Sequence, residues 1–399
     1  MNITHLTFAA ALLAGSFLPL APAVLAKDTG PSGTATNSSS SIDTAALKVT
    51  ADKVAALPNV GGIGVGVIRN GKLVHTLYAG EAAPGEPVTG KHWFNTASVA
   101  KTLIAETVLR LVERGAMDLD DPIGEHFRHP HLTDDPRYDL LTPRIILSHQ
   151  TTLRNWPNNY DNGRLAFLGQ PGDGQISYSG AGIEILMRYL EERFGGSYPE
   201  LVEAELLAPL AITGVSVGRS EAVESNITRG INNDGEWQDP FRRSQGGSII
   251  DREDYSAADN MYATIPGYAA LLSAIIVNKG LSTELAAERQ RLLSSGSERD
   301  MGYDCPPDIS FCPESFGYGL GWAIFEHEGQ RILNHGGNDF AEHAQVYFDT
   351  KSGNGMVLFM TGGNVFPHGL EIISAVDPDI PLVRFYSALI ALMRASQGG

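Results

Sequence analysis

Strands at both ends of the chain with helices between them predict an α+β fold. One antiparallel sheet is built from the two termini and flanked by helices, and a mainly helical region is inserted into it. Three observations carry this. Near the start, two alternating apolar runs, 65–68 and 73–78, flank Asn70-Gly71, the strongest short-range hairpin signal. In the middle, helix-period segments end at glycines. Toward the end, the runs 318–326, 344–348 and 355–361 alternate or run apolar.

In chain order, Asp43 is a good N-cap for a helix to about residue 57. The hairpin follows. Residues 98–113 read as an amphipathic helix stopped by Gly115, 182–194 as one stopped by Gly195-Gly196, and 266–278 as one stopped by Gly280. Lys351-Ser352-Gly353-Asn354-Gly355 reads as a hairpin turn, and a helix over 379–394 closes the chain. These elements place one folded domain at 43–399. Its α/β part covers about 43–110 and 310–399, and its helical part about 111–309.

The 399 residues are 43% hydrophobic and 19% charged, enough to bury a full core. Lys+Arg 29 against Asp+Glu 46 gives a net charge of -17, which argues against nucleic acid or an anionic membrane as partner. Residues 8–25 are almost wholly apolar or small and end Val24-Leu25-Ala26 before Lys27. This predicts a signal peptide, 1–26, cleaved after Ala26, and an exported, periplasmic protein. An uncleaved anchor is the alternative, because residues 1–7 lack Lys and Arg. No other apolar run is long enough for stable membrane insertion. Residues 27–42 are rich in Gly, Ser and Thr and read as a flexible leader. Cys305 and Cys312 flank a turn-rich loop. Export makes a disulfide across it the expectation, with two separate thiols as the alternative.

Of the eight lysines, only Lys101 has a serine three positions before it, Ser98. On a helix the two side chains share a face, one turn apart. The helix N-terminus adds partial positive charge at the serine, favouring an alkoxide or a nearby oxyanion. A serine hydroxyl needs a base to become a nucleophile, and a lysine amine serves when burial or nearby cations favour its neutral form. By itself the pair is also compatible with a capping serine and an exposed lysine.

The stretch from Phe94 through Ser98-Val99-Ala100-Lys101 to Thr102 resembles the first motif of the penicillin-recognising serine hydrolases. These include class C β-lactamases, D-Ala-D-Ala carboxypeptidases and related esterases. The likeness continues in Leu109 to Pro122, Ile146-Leu147-Ser148-His149, Ala208-Pro209-Leu210, Tyr318-Gly319-Leu320-Gly321-Trp322 and Leu333-Asn334-His335-Gly336-Gly337. The pieces keep the family's order and span roughly residues 45–365.

The resemblance implies the serine β-lactamase/DD-peptidase-like version of the fold and a catalytic domain at 43–399. It makes Ser98 the nucleophile and Lys101 its base. Tyr178, in Ser177-Tyr178-Ser179-Gly180, becomes a proton relay beside Lys101 and the leaving group. Gly180 stands at a substrate-binding position where β-lactamases place Asn, so an amide contact is missing. His335 takes the third-motif place that many relatives give to Lys and adds polarity near the tyrosine. Gly336 and Gly337 let substrate approach the strand edge. The backbone N–H groups of Ser98 and Asn338 form the oxyanion hole. Gln150-Thr151-Thr152 stands where Thr-Ser-Gly is usual, an altered loop near the rim of the site.

Two literal motif matches compete. Tyr160-Asp161-Asn162 lies in a polar stretch with no helix behind it, and Lys351-Ser352-Gly353 lies in the expected turn. His126, His129 and His131 cluster, yet Pro130 breaks any helix that would align them on a metal. The expectation is an exported serine hydrolase acting through an acyl-enzyme on small-molecule ester or amide substrates. Esterase-type activity is favoured, and no metal or cofactor is implied. The alternatives are a D-Ala-D-Ala carboxypeptidase or β-lactamase acting on carboxylated amides, and a catalytically weak binding protein of the same fold.

Overall fold

The structure is a computed structural model and describes residues 42–245, 248–251, 255–296 and 305–397. The expected signal peptide and nearly all of the expected leader lie outside the described residues. Asp43 caps the first helix, Thr44–Ala55, its carboxylate accepting the Ala46 N–H at 2.8 Å. The strands Val60–Arg69 and Lys72–Ala83 then pair antiparallel around Asn70-Gly71. Both turn residues have positive φ, 51° and 71°, as a two-residue hairpin loop requires.

Val60–Arg69 also pairs with Gly355–Gly362 from the far end of the chain. Among the described residues the sheet has nine strands, all joined antiparallel. Across it they run Glu86–Pro87, Lys72–Ala83, Val60–Arg69, Gly355–Gly362, Glu342–Asp349, Gln330–Asn338, Ala323–His327, Ser315–Tyr318 and Ser294–Ser295. Both faces are covered, and side chains alternate between two cores. Met356, Leu358 and Met360 join the core under Thr44–Ala55 and the last helix, Pro381–Gln397. Val357 and Phe359 join the larger core under the inserted helices. On that side the helix Ile265–Ile276 lies directly on the strand glycines. A Cβ at Gly64 would meet Ile265 at 2.6 Å.

The run expected as one strand over 318–326 is a hairpin instead, Ser315–Tyr318 and Ala323–His327. Gly319-Leu320-Gly321-Trp322 turns the chain between them, with Gly321 at φ 75°. This turn packs against the nucleophile helix. A Cβ at Gly321 would lie 2.2 Å from the Ala105 Cβ, so only glycine fits. The helix Phe366–Ser374 was not foreseen.

Cys305 and Cys312 are bridged. Cys305, Ile309 and Phe311 pack against the core of the terminal helices, and the Arg384 guanidinium lies 3.9 Å from the Phe311 ring centroid. Among the described residues no helix is long and apolar enough to cross a membrane.

Candidate active site

Ser98 lies in a short 3-10 turn, Ala97–Ala100, that runs into the helix Lys101–Glu113. The helix ends at Gly115 (φ 72°), where the Gly115 and Ala116 N–H groups return to the Val112 and Leu111 carbonyls. Ala97, just before the serine, holds a left-handed φ of 46°, and its N–H donates to Asn95 Oδ1. Such a conformation costs an alanine of order 1 kcal/mol and persists because its neighbours hold it.

Lys101 Nζ lies 2.9 Å from Ser98 Oγ and donates to the Ala258 carbonyl at 2.7 Å. The lysine is 1% exposed, and its Nζ sits 5.0 Å from the Tyr178 ring centroid. The Ala258 carbonyl is held in turn. Glu184, on the helix Gly180–Phe194, accepts the Ala258 N–H at 3.0 Å and also the Ser256 hydroxyl. The helix that follows Tyr178 thus braces the loop that holds Lys101.

Tyr178 is clamped on both sides by His149. Ser177 N–H donates to the His149 carbonyl at 2.7 Å, and Ser179 N–H to His149 Nδ1 at 3.3 Å. The imidazole lies 4.4 Å from the Tyr178 ring and 4.6 Å from the Tyr318 ring, centroid to centroid. Burial, reinforced by the Lys101 charge, keeps His149 neutral, its pKa pushed well below the ordinary value. With Nδ1 accepting, its proton is on Nε2.

His335 is 1% exposed, 6.4 Å from the Tyr178 ring. Burial first, and Lys101 second, lower its pKa to about 3. It faces a carbonyl, Gly336 O, at 2.8 Å from Nδ1, so Nδ1 carries the proton and Nε2 the lone pair. The imidazole is therefore neutral and cannot serve as a cation for a substrate carboxylate.

The strand carrying His335 crosses the nucleophile turn at Gly337, where a Cβ would meet Thr96 O at 2.2 Å and Ser98 N at 3.1 Å. Asp339 N–H donates to Glu342 O, and the register pairs Asn338 with His343. Antiparallel bonding alternates, so the Asn338 N–H points away from that partner strand. On that other edge the pairing with Ala323–His327 ends at Asn334, leaving the edge open beside the serine turn. In such a non-hydrogen-bonded pair the side chains approach closely. Here His343 Nδ1 lies 2.6 Å from Asn338 Oδ1. His343 is buried, which lowers its pKa to about 4.

The N–H of Gly180 is taken by Asn155 Oδ1 at 2.7 Å, that of Ala181 by the Asn155 carbonyl, and that of Gly182 by Ser179 Oγ. Asn155 thus helps cap a helix from another segment. A Cβ at Gly180 would meet Trp156 Cζ2 and Cη2 at 2.7 and 2.8 Å, so the indole occupies the place of the missing side chain.

The altered triplet is not at the rim. Gln150, Thr151 and Thr152 are all buried, and Thr152 holds φ 60°, the conformation a glycine would take, with its hydroxyl bridging to Gly169. Of the competing matches, the Tyr160 hydroxyl accepts from Arg154 N–H and donates to Ala166 O, fastening its own loop. Lys351 and Ser352 lie in the turn after Glu342–Asp349, folded onto Asp349. His129 and His131 each spend Nδ1 on a backbone N–H, while His126 packs on Tyr189.

Ser98, Lys101, Tyr178, His335, Gly336, Gly337 and Asn338 are thus gathered at the seam between sheet and helices. Sequence reasoning missed Asn155, Trp156, Glu184, Ala258 and His343, and it named His149 in the resemblance without giving it a role in the site. These come from separate segments with no spacing to link them. Only His149 and Tyr318 lay in stretches that carry the resemblance.

A family model described as Beta-lactamase matches residues 50–372. Penicillin-binding protein 4 of Amycolatopsis lactamdurans is 26% identical over 332 residues, 77% of this chain and 82% of that protein. Esterase EstB of Burkholderia gladioli is 35% identical over 102 residues, 24% of this chain and 25% of its own. The solved structure of EstCE1, a hydrolase with promiscuous acyltransferase activity, superposes with a TM-score of 0.67 at 18% identity, covering 83% of this chain and 97% of that one. Family model, fold and relatives agree: the chain belongs to the Beta-lactamase family and is a serine hydrolase, of a family that acts on small ester or amide substrates.

Proposed function

We propose that the protein is an exported esterase that works through an acyl-enzyme on Ser98. The observation that carries this is the buried Lys101 amine, 2.9 Å from Ser98 Oγ and beside Tyr178. Ser98 Oγ attacks the ester carbonyl, and its one proton passes to the Lys101 amine and on to Tyr178. The tetrahedral oxyanion is stabilised by the Ser98 and Asn338 N–H groups. Tyr178 protonates the departing alkoxide as the C–O bond breaks. Water then attacks the acyl carbon by the reverse proton path and frees Ser98.

Two features support esters over carboxylated amides. His335, with its pKa near 3, offers no positive charge to a carboxylate. Gly180 itself supplies no amide side chain, Trp156 fills most of the space, and the Asn155 amide oxygen beside it is spent on the Gly180 N–H. A polar substrate group buried there without its partner loses about 1–3 kcal/mol. Export is supported by the apolar N-terminal segment and by the Cys305–Cys312 bridge, which suits an oxidising compartment. The experiment compares kcat/KM for a p-nitrophenyl ester and a chromogenic cephalosporin. The ester should win clearly, and a clear win for the cephalosporin would overturn the preference.

A further inference from the structure

We infer that Trp156 is a specificity-determining residue, an aromatic wall beside Tyr178 that selects substrates carrying an uncharged apolar or aromatic group. The inference rests on the reading of Ser98 as nucleophile. It does not depend on the choice between esters and amides.

The direction of the wall follows from the backbone. Ser179 is extended, φ -143° and ψ 111°, and its own hydroxyl turns away, to Arg154 O and the Gly182 N–H. Neighbours on either side of an extended residue project to the same side. Tyr178 projects toward Lys101, 5.0 Å from its ring centroid. The side-chain direction of Gly180 is therefore that same side, and it is filled by the outer edge of the Trp156 indole, at 2.7 and 2.8 Å, with Asn155 Oδ1 beside it at 3.0 Å and bonded to the Gly180 N–H.

The wall is fixed rather than draped. Asn155, next to Trp156, is tied to the first two N–H groups of the tyrosine helix. Trp156 N–H donates to Asn159 Oδ1, and Pro157–Asn159 forms a 3-10 turn after it. Arg154 N–H is held by Tyr160. The indole is half-buried and packs against the main core on one side. A rigid aromatic face presents a large apolar area at little entropic cost. It gives no charge-assisted contact to a carboxylate.

The test uses two p-nitrophenyl phosphonates, one with a methyl and one with a benzyl group on phosphorus. Each is attacked by the serine oxygen, forming an O–P bond and releasing p-nitrophenolate, which is read by absorbance. The wild type should react faster with the benzyl compound. Trp156→Ala should lower the benzyl-to-methyl ratio of inactivation rates by roughly tenfold, and Trp156→Phe should keep most of the preference. Thermal melts establish that both variants are folded. If Trp156→Ala fails to fold, the ratio in Trp156→Phe decides, a drop of roughly two- to threefold being expected for the smaller ring. An unchanged ratio in a folded variant overturns the inference while leaving Ser98 as nucleophile. Failure of both phosphonates to label Ser98 in the wild type overturns the nucleophile reading, and this inference with it.

Discussion

On the nucleophile side of the site, Glu106 is fully buried five residues beyond Lys101 on the same helix. It is paired with Arg110 at 2.9 Å and Arg289 at 3.2 Å, and it accepts the Trp322 indole N–H at 3.2 Å. On the tyrosine side, Tyr178 and Gly180 are held by His149, Asn155 and Ser179 through hydrogen bonds to uncharged groups. The first arrangement fastens a helix to a distant turn, and its loss is felt as stability. The second sets the position of a few backbone atoms, and its loss is felt as rate. Glu184 joins the two sides, since it stands on the tyrosine helix and holds the loop that holds Lys101.

The largest expected effect is chemical. Ser98→Ala and Lys101→Ala should each lower kcat/KM by at least about a thousandfold with the fold intact. The double variant should be little worse, because the two groups act as a unit. Additive losses in the double variant would separate the two residues and break that side of the comparison.

Next, Glu106→Ala should destabilise by about 3–5 kcal/mol in urea melts, because it leaves Arg289 buried and without its carboxylate. The variant that remains folded should keep most of its kcat. A large fall in kcat without loss of stability would contradict a stabilising role for Glu106.

Glu184→Gln tests the link. It should cost roughly tenfold in kcat/KM, by weakening the hold on the Ala258 N–H. As a positioning residue acting through Lys101, it should also move the pH–rate profile. A merely structural role would lower stability and leave the profile in place.

The smallest effect is in pH. Buried His149, His335 and His343 take up protons at lower pH in the folded chain than in the unfolded one. Between the ordinary value of 6.5 and about 3 the unfolded chain therefore binds more protons. Stability from these groups is complete above that window and falls as the pH drops through it. The Tm should decrease steadily from pH 7 to pH 4. Replacing His343 by Gln should flatten the slope, and an unchanged slope would contradict its burial as a neutral group.

The same division decides how much was legible in the sequence. Ser98 and Lys101 are one helical turn apart, so local geometry alone predicts their meeting, and the hairpin at Asn70-Gly71 was legible for the same reason. The sheet joining both termini followed from apolar periodicity. The span 318–326 was misread because Gly319 to Trp322 is apolar enough to look like strand interior, while its turn is dictated by close packing on Ala105. Trp156 could not be read, since nothing in the residues around Gly180 shows that an indole from a separate loop fills its side. Thr152 was misplaced because its departure from glycine suggests an open rim, whereas buried contacts to Gly169 hold its unusual φ.

The central claim is that Ser98 carries the acyl group. Intact and peptide mass spectrometry after rapid acid quench of a p-nitrophenyl ester reaction tests it most directly. The predicted result is one added acyl mass, on the peptide containing Ser98, which is absent from Ser98→Ala. Acylation of another residue, or turnover that persists in Ser98→Ala, would contradict it.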